Sequence, residues 1–464
     1  MPDHANVMAA IDYALDCDRS NALETLACLC GYFNIAGRNN EPTRRFVELS
    51  ASDKEPDPVA WARAVSALGL EALWTGATDV AALERARVIA ADHGDQWGEL
   101  LTRRDLALPP SFAGDLGPVS DVMADAARAG MEDIEMFARL QIGSMHNILG
   151  HPTATLAALD AVPARMHRLN WDAFASVAQA HCAGALATLG RPADALALVG
   201  AIDARTIAVD LLMAETYRIA GLLMADSQLL NQARAALPTS DWIVARIIDA
   251  NLSYTEALLA GDLVRAARLL EDSLHLAFTP AMRLTADELL APCLIATGDL
   301  DEAHTVCTRL ELAAESLHSV HVAAAAAFAR AGLAFAVDEP DTFDKAVDAF
   351  RAAETSQSQA HLIDAAELVA VALLNAGRAG DAARVDAATR RARTQYSYRW
   401  QWRYVEDLRR MAVGSIAQSD RDDLGGAFGD SDAVSLDEAI ATVLTSPAGH
   451  GQRPASGRQS PRDA

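Results

Sequence analysis

The sequence predicts an all-α fold, a stack of antiparallel helical hairpins with one hairpin per repeat. Three observations carry this. Half of the 464 residues are apolar, Ala and Leu dominate them, and aromatics make up only 5%. Ala and Leu lead the helix-propensity scale, while the Val, Ile and aromatic runs that mark strands are missing. Turn residues recur at Gly37, Gly76, Gly114, Gly150, Gly190, Asp226, Gly261, Gly298, Asp338 and Gly377, always 35–40 residues apart, the period of a two-helix repeat. Between turns the apolar residues keep to one helical face, as in Ile243, Ile247, Ala250, Tyr254, Ala257 and Leu258. A single hairpin cannot bury such a face, so neighbours must stack.

Along the chain the elements follow in order. The opening Met-Pro-Asp-His-Ala-Asn lacks the basic and apolar regions of a signal peptide, so a cytoplasmic protein with reduced thiols is expected. Cys28-Leu-Cys30 lies in the apolar segment Ala22–Gly31. Residues two apart on a helix point about 200° apart, which favours core packing over chelation. At each turn Gly supplies a left-handed cap for the first helix, and Asp or Pro just after it starts the second. Ala five residues after Gly lets the two helices approach, as at Ala195, Ala266, Ala303 and Ala382. After Asp338 the matching Ala346 comes eight residues on, implying a longer link. The repeat domain is expected over 1–412. A polar linker and short terminal helix occupy 413–445, the helix opened by a capping box of Ser435 and Glu438. Residues 446–464, rich in Pro, Gly, Ser and Arg, are expected to be a disordered tail.

Composition excludes some functions. The net charge of −24 disfavours nucleic-acid binding by the chain as a whole. The longest near-apolar stretch, Val322 to Val337, is broken by Arg330, and no membrane span is expected. A phosphate loop needs Lys directly after Gly; Lys54 and Lys345 are the only lysines and neither qualifies. The expectation is a chain without catalytic residues, cofactor or metal. His318 and His321 share a helix spacing that, with His304 or His361, suits a metal, but the segment reads more readily as a helix–helix turn. His146, His151 and His167 fit local polar or capping roles, and Trp61, Trp74, Trp97, Trp171 and Trp242 fit core positions.

One segment stands apart. Between Arg384 and Arg410 eight Arg face three acids, a net of +5, and aromatics interleave with them. The residues at its centre are Arg390, Arg391, Arg393, Tyr396, Tyr398, Arg399, Trp400, Trp402, Arg403 and Tyr404. Arg with aromatics suits protein or nucleic-acid recognition. The alternative is a terminal cap, with Tyr and Trp covering the last hairpin and Arg stems packed over them.

With Gly at the turn, Ala five later and a large apolar residue after that, the hairpins resemble tetratricopeptide repeats; Ala346, Phe350 and Ala353 show the small–large–small order best. The ends add to this. Asn6-Val-Met-Ala-Ala-Ile-Asp-Tyr-Ala-Leu15 resembles the opening of the C-terminal repeat region in bacterial signal-transduction ATPase and LuxR-type transcriptional regulators. Ala433-Val-Ser-Leu-Asp-Glu-Ala-Ile-Ala441 resembles its close, without the usual Gly-Arg before it. The resemblance spans about residues 4–445. It implies a right-handed superhelix that serves as a non-catalytic regulatory or protein-interaction arm, lacking the ATPase and DNA-binding modules. The partners it implies are a protein, such as an ATPase or transcription regulator, or a small-molecule effector. DNA contact through 384–410 is the lesser reading.

Overall fold

The computed structural model describes residues 4–36, 57–69, 79–238, 243–277, 280–415 and 434–445. The turns read at Gly37 and Gly76, Trp74, Trp242, most of the polar linker and the 446–464 tail lie outside the described residues. Among the described residues every regular element is a helix, and none of these helices is long and apolar enough to cross a membrane.

The first part of the chain carries α1 (His4–Cys17), α2 (Arg19–Ala36), α3 (Pro58–Gly69), α4 (Val80–Asp92), α5 (Gln96–Leu106), α6 (Leu108–Phe112) and α7 (Gly117–Ala129). Hairpins follow in sequence. The first joins α8 (Glu132–Ile148) to α9 (Pro152–Leu159) and the short α10 (Val162–Arg168); next come α11 (Asp172–Thr188) with α12 (Pro192–Gly200), and α13 (Ile207–Met224) with α14 (Ser227–Ala236). Then α15 (Ile243–Leu259) pairs with α16 (Leu263–Leu274), α17 (Pro280–Thr297) with α18 (Leu300–Leu317), α19 (Val320–Ala336) with α20 (Thr342–Ser356), and α21 (Gln359–Asn375) with α22 (Ala379–Gln395). Helices α23 (Arg403–Ser415) and α24 (Leu436–Thr445) close the described chain.

The turn chemistry explains these boundaries. Gly114, Gly150, Gly190, Gly261, Gly298 and Gly377 all have positive φ, between +73° and +94°, the region that only Gly enters without penalty. Asp338 also sits there, at φ +58°. At the remaining turn the left-handed residue is Ala225, one before the expected Asp226. The Asp226 carboxylate instead accepts from Gln228 N at 2.8 Å and caps α14, a use that needs an extended backbone. The small residues expected after the turns, Ala195, Ala266, Ala303, Ala346 and Ala382, are all buried where the paired helices meet.

From α1 to α22 each helix packs on its chain neighbour, and first helices also pack on the next first helix, α11 on α13, α13 on α15, α17 on α19 and α19 on α21. The largest apolar cluster runs from Leu222 to Val443. At the end α24 lies on α22: Arg378 donates to Val443 O and Arg391 to Val434 O, both at 2.8 Å. Its capping box is made, Ser435 N on Glu438 Oε2 at 3.0 Å and Glu438 N on Ser435 Oγ at 3.2 Å.

Distant turns also meet. His151 Nε2 lies 3.1 Å from Leu317 O, and Ser319 Oγ donates to Gly150 O at 2.7 Å, contacts that span 166 and 169 residues. Gln359 N donates to Leu189 O at 2.9 Å. Arg399 N and Trp400 N both donate to Leu223 O, at 2.7 and 2.9 Å. Three turns of the early hairpins thus dock on three segments of the late ones.

Candidate functional site

These docked turns border a half-open cavity of roughly 330 Å³. Its wall comes from the first helices of the seven hairpins, α8, α11, α13, α15, α17, α19 and α21, and from residues 398–402. Each helix contributes one stripe. On α13 it is Glu215, Arg218, Ile219 and Leu222; on α15 it is Val244, Ile247, Ile248 and Asn251; on α19 it is His321, Ala325 and Phe328. These steps of three, four and seven are one face of a helix. The mainly apolar wall with a few converging polar groups, and the volume, suit an organic ligand.

The polar groups are set by burial. Arg218 is almost wholly buried; its Nε donates to Glu215 Oε2 at 2.9 Å and its Nη1 to Thr255 Oγ1 at 3.1 Å. Asp364 accepts from Tyr398 OH at 2.8 Å and from Trp402 Nε1 at 3.2 Å, with an Arg393 nitrogen at 3.8 Å. Burial pushes the Asp364 carboxyl up to about 7, although Arg393 pulls it down. Burial also pushes Glu288 up to about 8, helped by the neighbouring Asp287. The imidazoles of His321 and His361 lie 4.5 Å apart, centroid to centroid. Burial holds both below the usual histidine range, His361 at about 4, so both are neutral near pH 7. Their Nδ1 atoms are buried without a hydrogen-bond partner among the described residues.

The Arg–aromatic segment singled out in the sequence forms part of this wall. Tyr398 and Trp402 are buried on Asp364, and Tyr404 is buried against Phe328 and the face of Gly332. Trp400, half-buried, meets Trp402 edge to face at 5.6 Å. Arg393 donates to Glu367 Oε1 at 2.9 Å and to Trp400 O at 2.5 Å, and its guanidinium stacks on Tyr398 at 4.7 Å. Arg390 lies on Asp386, and Arg391 donates to Val434 O just before α24. Arg390, Arg399 and Arg403 are exposed, and Tyr396 is half-buried. Tyr398, Trp402 and Tyr404 therefore face inward; the outer surface of the segment is arginine with Tyr396.

Of the histidines weighed for a metal, His321 and His361 come together. His304 instead lies 3.0 Å from Arg330 Nη1, and His318 is an exposed left-handed cap. Among the described residues no three His, Cys, Asp or Glu side chains are grouped to hold a metal ion. Cys28 is exposed rather than packed in the core, as is Cys17, while Cys293 and Cys307 are buried; the side chain of Cys30 lies outside the described residues. His146 and His151 meet edge to face at 5.7 Å beside Leu317, and His167 lies 2.7 Å from Asp172.

Glu215, Arg218, Glu288 and Asp364 were missed from the sequence. The available signal is a charged residue on an otherwise apolar helix, as in the α13 run Ile207–Met224. A second signal is Pro292 inside α17, which has no N–H for the carbonyl of Glu288 four residues before it. No protein-family model matches the chain, and no curated protein matches it.

Proposed function

We propose that this chain is a helical-repeat sensor: a right-handed superhelix of tetratricopeptide-like hairpins that binds a small-molecule effector in its central cavity. In this reading it is the regulatory arm of a cytoplasmic signalling protein and turns nothing over. Occupancy of the cavity is passed to a protein partner such as an ATPase or transcription regulator. The observation that carries the reading is a cavity walled by the first helices of seven successive hairpins. It favours effector sensing over a simple scaffold. A ligand there bridges helices of several hairpins and so would bias how the early turns dock on the late ones. The exposed Arg390, Arg399 and Arg403, in an otherwise acidic chain, suit an acidic protein face.

Thermal-shift screening of metabolite panels tests this. Binding to the folded state raises Tm by mass action, and Ile219→Trp, which places a larger ring in the cavity wall, abolishes the shift. If no compound stabilises the protein, or Ile219→Trp responds like the parent, the cavity is not an effector site.

A further inference from the structure

The charges around the cavity are matched unequally. Arg218 is engaged by Glu215 and Thr255. Asp364 is held by Tyr398 and Trp402. Asp287 is paired with Arg309 at 2.8 Å. Glu288, one residue on, lines the cavity with no hydrogen-bond or ion-pair partner among the described residues. The neighbouring main chain adds to this: Pro292 has no N–H to donate to the Glu288 carbonyl. The neutral imidazoles of His321 and His361 supply no positive charge. The remaining wall is mainly apolar and aromatic, with Phe328 and Trp400 at hand, and its other polar side chains, Asn147, Thr188, Asn251 and Thr285, are uncharged. A site with matched cations, one unmatched carboxylate and aromatic faces is complementary to a cation on a hydrocarbon body.

We propose that the cavity binds a small, mainly apolar amine, its ammonium on the Glu288 carboxylate and its hydrocarbon body against α13, α15 and α19. This rests on the effector reading and gives it a ligand class. An anion finds no free cation here, because Arg218 and Arg393 already hold Glu215 and Glu367. In the empty cavity Glu288 holds its proton near pH 7. The arriving ammonium keeps its own three protons, the carboxyl loses one to solvent, and the ion pair forms. Amine binding therefore releases about one proton, which binding of a neutral analogue does not.

Calorimetric titration of the intact protein near neutral pH, in buffers of different ionisation heat, tests this with phenethylamine, phenethyl alcohol and phenylacetate. The expected order puts phenethylamine tightest, with proton release for it alone. Glu288→Gln is expected to weaken phenethylamine by about tenfold or more, the scale of one charge-assisted contact, to remove the proton release, and to leave the alcohol unchanged. Glu288→Asp keeps the charge and should keep the amine preference. The release in the parent protein needs no variant, so a poorly folded Gln form does not blunt the test. Alcohol or phenylacetate binding as tightly as the amine overturns the amine assignment and leaves the effector reading standing. If none of the three binds, the amine assignment fails, while the effector reading stands or falls with the thermal-shift panel.

Discussion

At the residue scale the clearest energetic commitment is Asp364. It sits at 6% exposure on a helix whose other faces are apolar, and it accepts hydrogen bonds from both Tyr398 and Trp402. Its role is to satisfy two buried donors that the aromatic segment brings inside. Asp364→Leu fills the space with hydrocarbon but leaves the Tyr398 hydroxyl and the Trp402 indole N–H unpaired. Each orphaned donor costs roughly 1–3 kcal/mol, so a loss on the order of 3 kcal/mol is expected. Urea denaturation followed by tryptophan fluorescence reads it; a change under about 0.5 kcal/mol, the range of ordinary surface substitutions, would refute the role assigned to Asp364.

At the element scale the turns do two different jobs. Gly261 has φ +73° and open space where a Cβ would stand; Gly190 has φ +75°, and its Cβ would lie 2.4 Å from the backbone nitrogen of Ala360. Gly261 only caps a helix, whereas Gly190 also lets an early hairpin dock on a late one. Gly261→Ala should cost about 1 kcal/mol, the left-handed penalty alone. Gly190→Ala should cost clearly more, since the α20–α21 turn must move. Equal losses in paired denaturation curves would show that the docking of Leu189 on Gln359 contributes little. The turn spacing made this lattice legible, because a capping glycine is a local requirement. The docking was not legible, because nothing near Gly190 in sequence encodes Ala360.

At the scale of the whole molecule, pH acts through two opposed sets of buried groups. The histidines are neutral in the fold, His181 and His361 down at about 4, against about 6.5 when unfolded. Their contribution is full above about 6.5 and is lost as pH falls toward 4. Glu288 and Asp364 run the other way, protonated in the fold up to about 8 and about 7. Their folded pKa is raised, so their contribution is lost as pH rises through those values. Below about 6.5 the two slopes oppose each other. From about 6.5 to 8 only the carboxylates act, so stability should decline over that window. Glu288→Gln should flatten the decline. A urea midpoint that rises across that interval, or a slope that the variant leaves intact, would contradict this assignment of charge.

What the sequence by itself determined is local: helix from Ala and Leu, caps from Gly and Asp, close pairing from Ala195, Ala266, Ala303 and Ala382, and the capping box at Ser435. Each depends on residues within about two helical turns of one another, so spacing alone reveals it. The resemblance suggested an effector among the possible partners, and the Arg–aromatic segment was visible as an anomaly. The tertiary structure alone decided that Tyr398, Trp402 and Tyr404 point inward, and that stripes from seven helices share one cavity. It alone left Glu288 in that cavity with no partner among the described residues. These depend on contacts across as many as 169 residues. Whether a polar side chain on an apolar helix is a paired core group or an open binding group is set by what other helices bring to it, and no spacing along one helix carries that information.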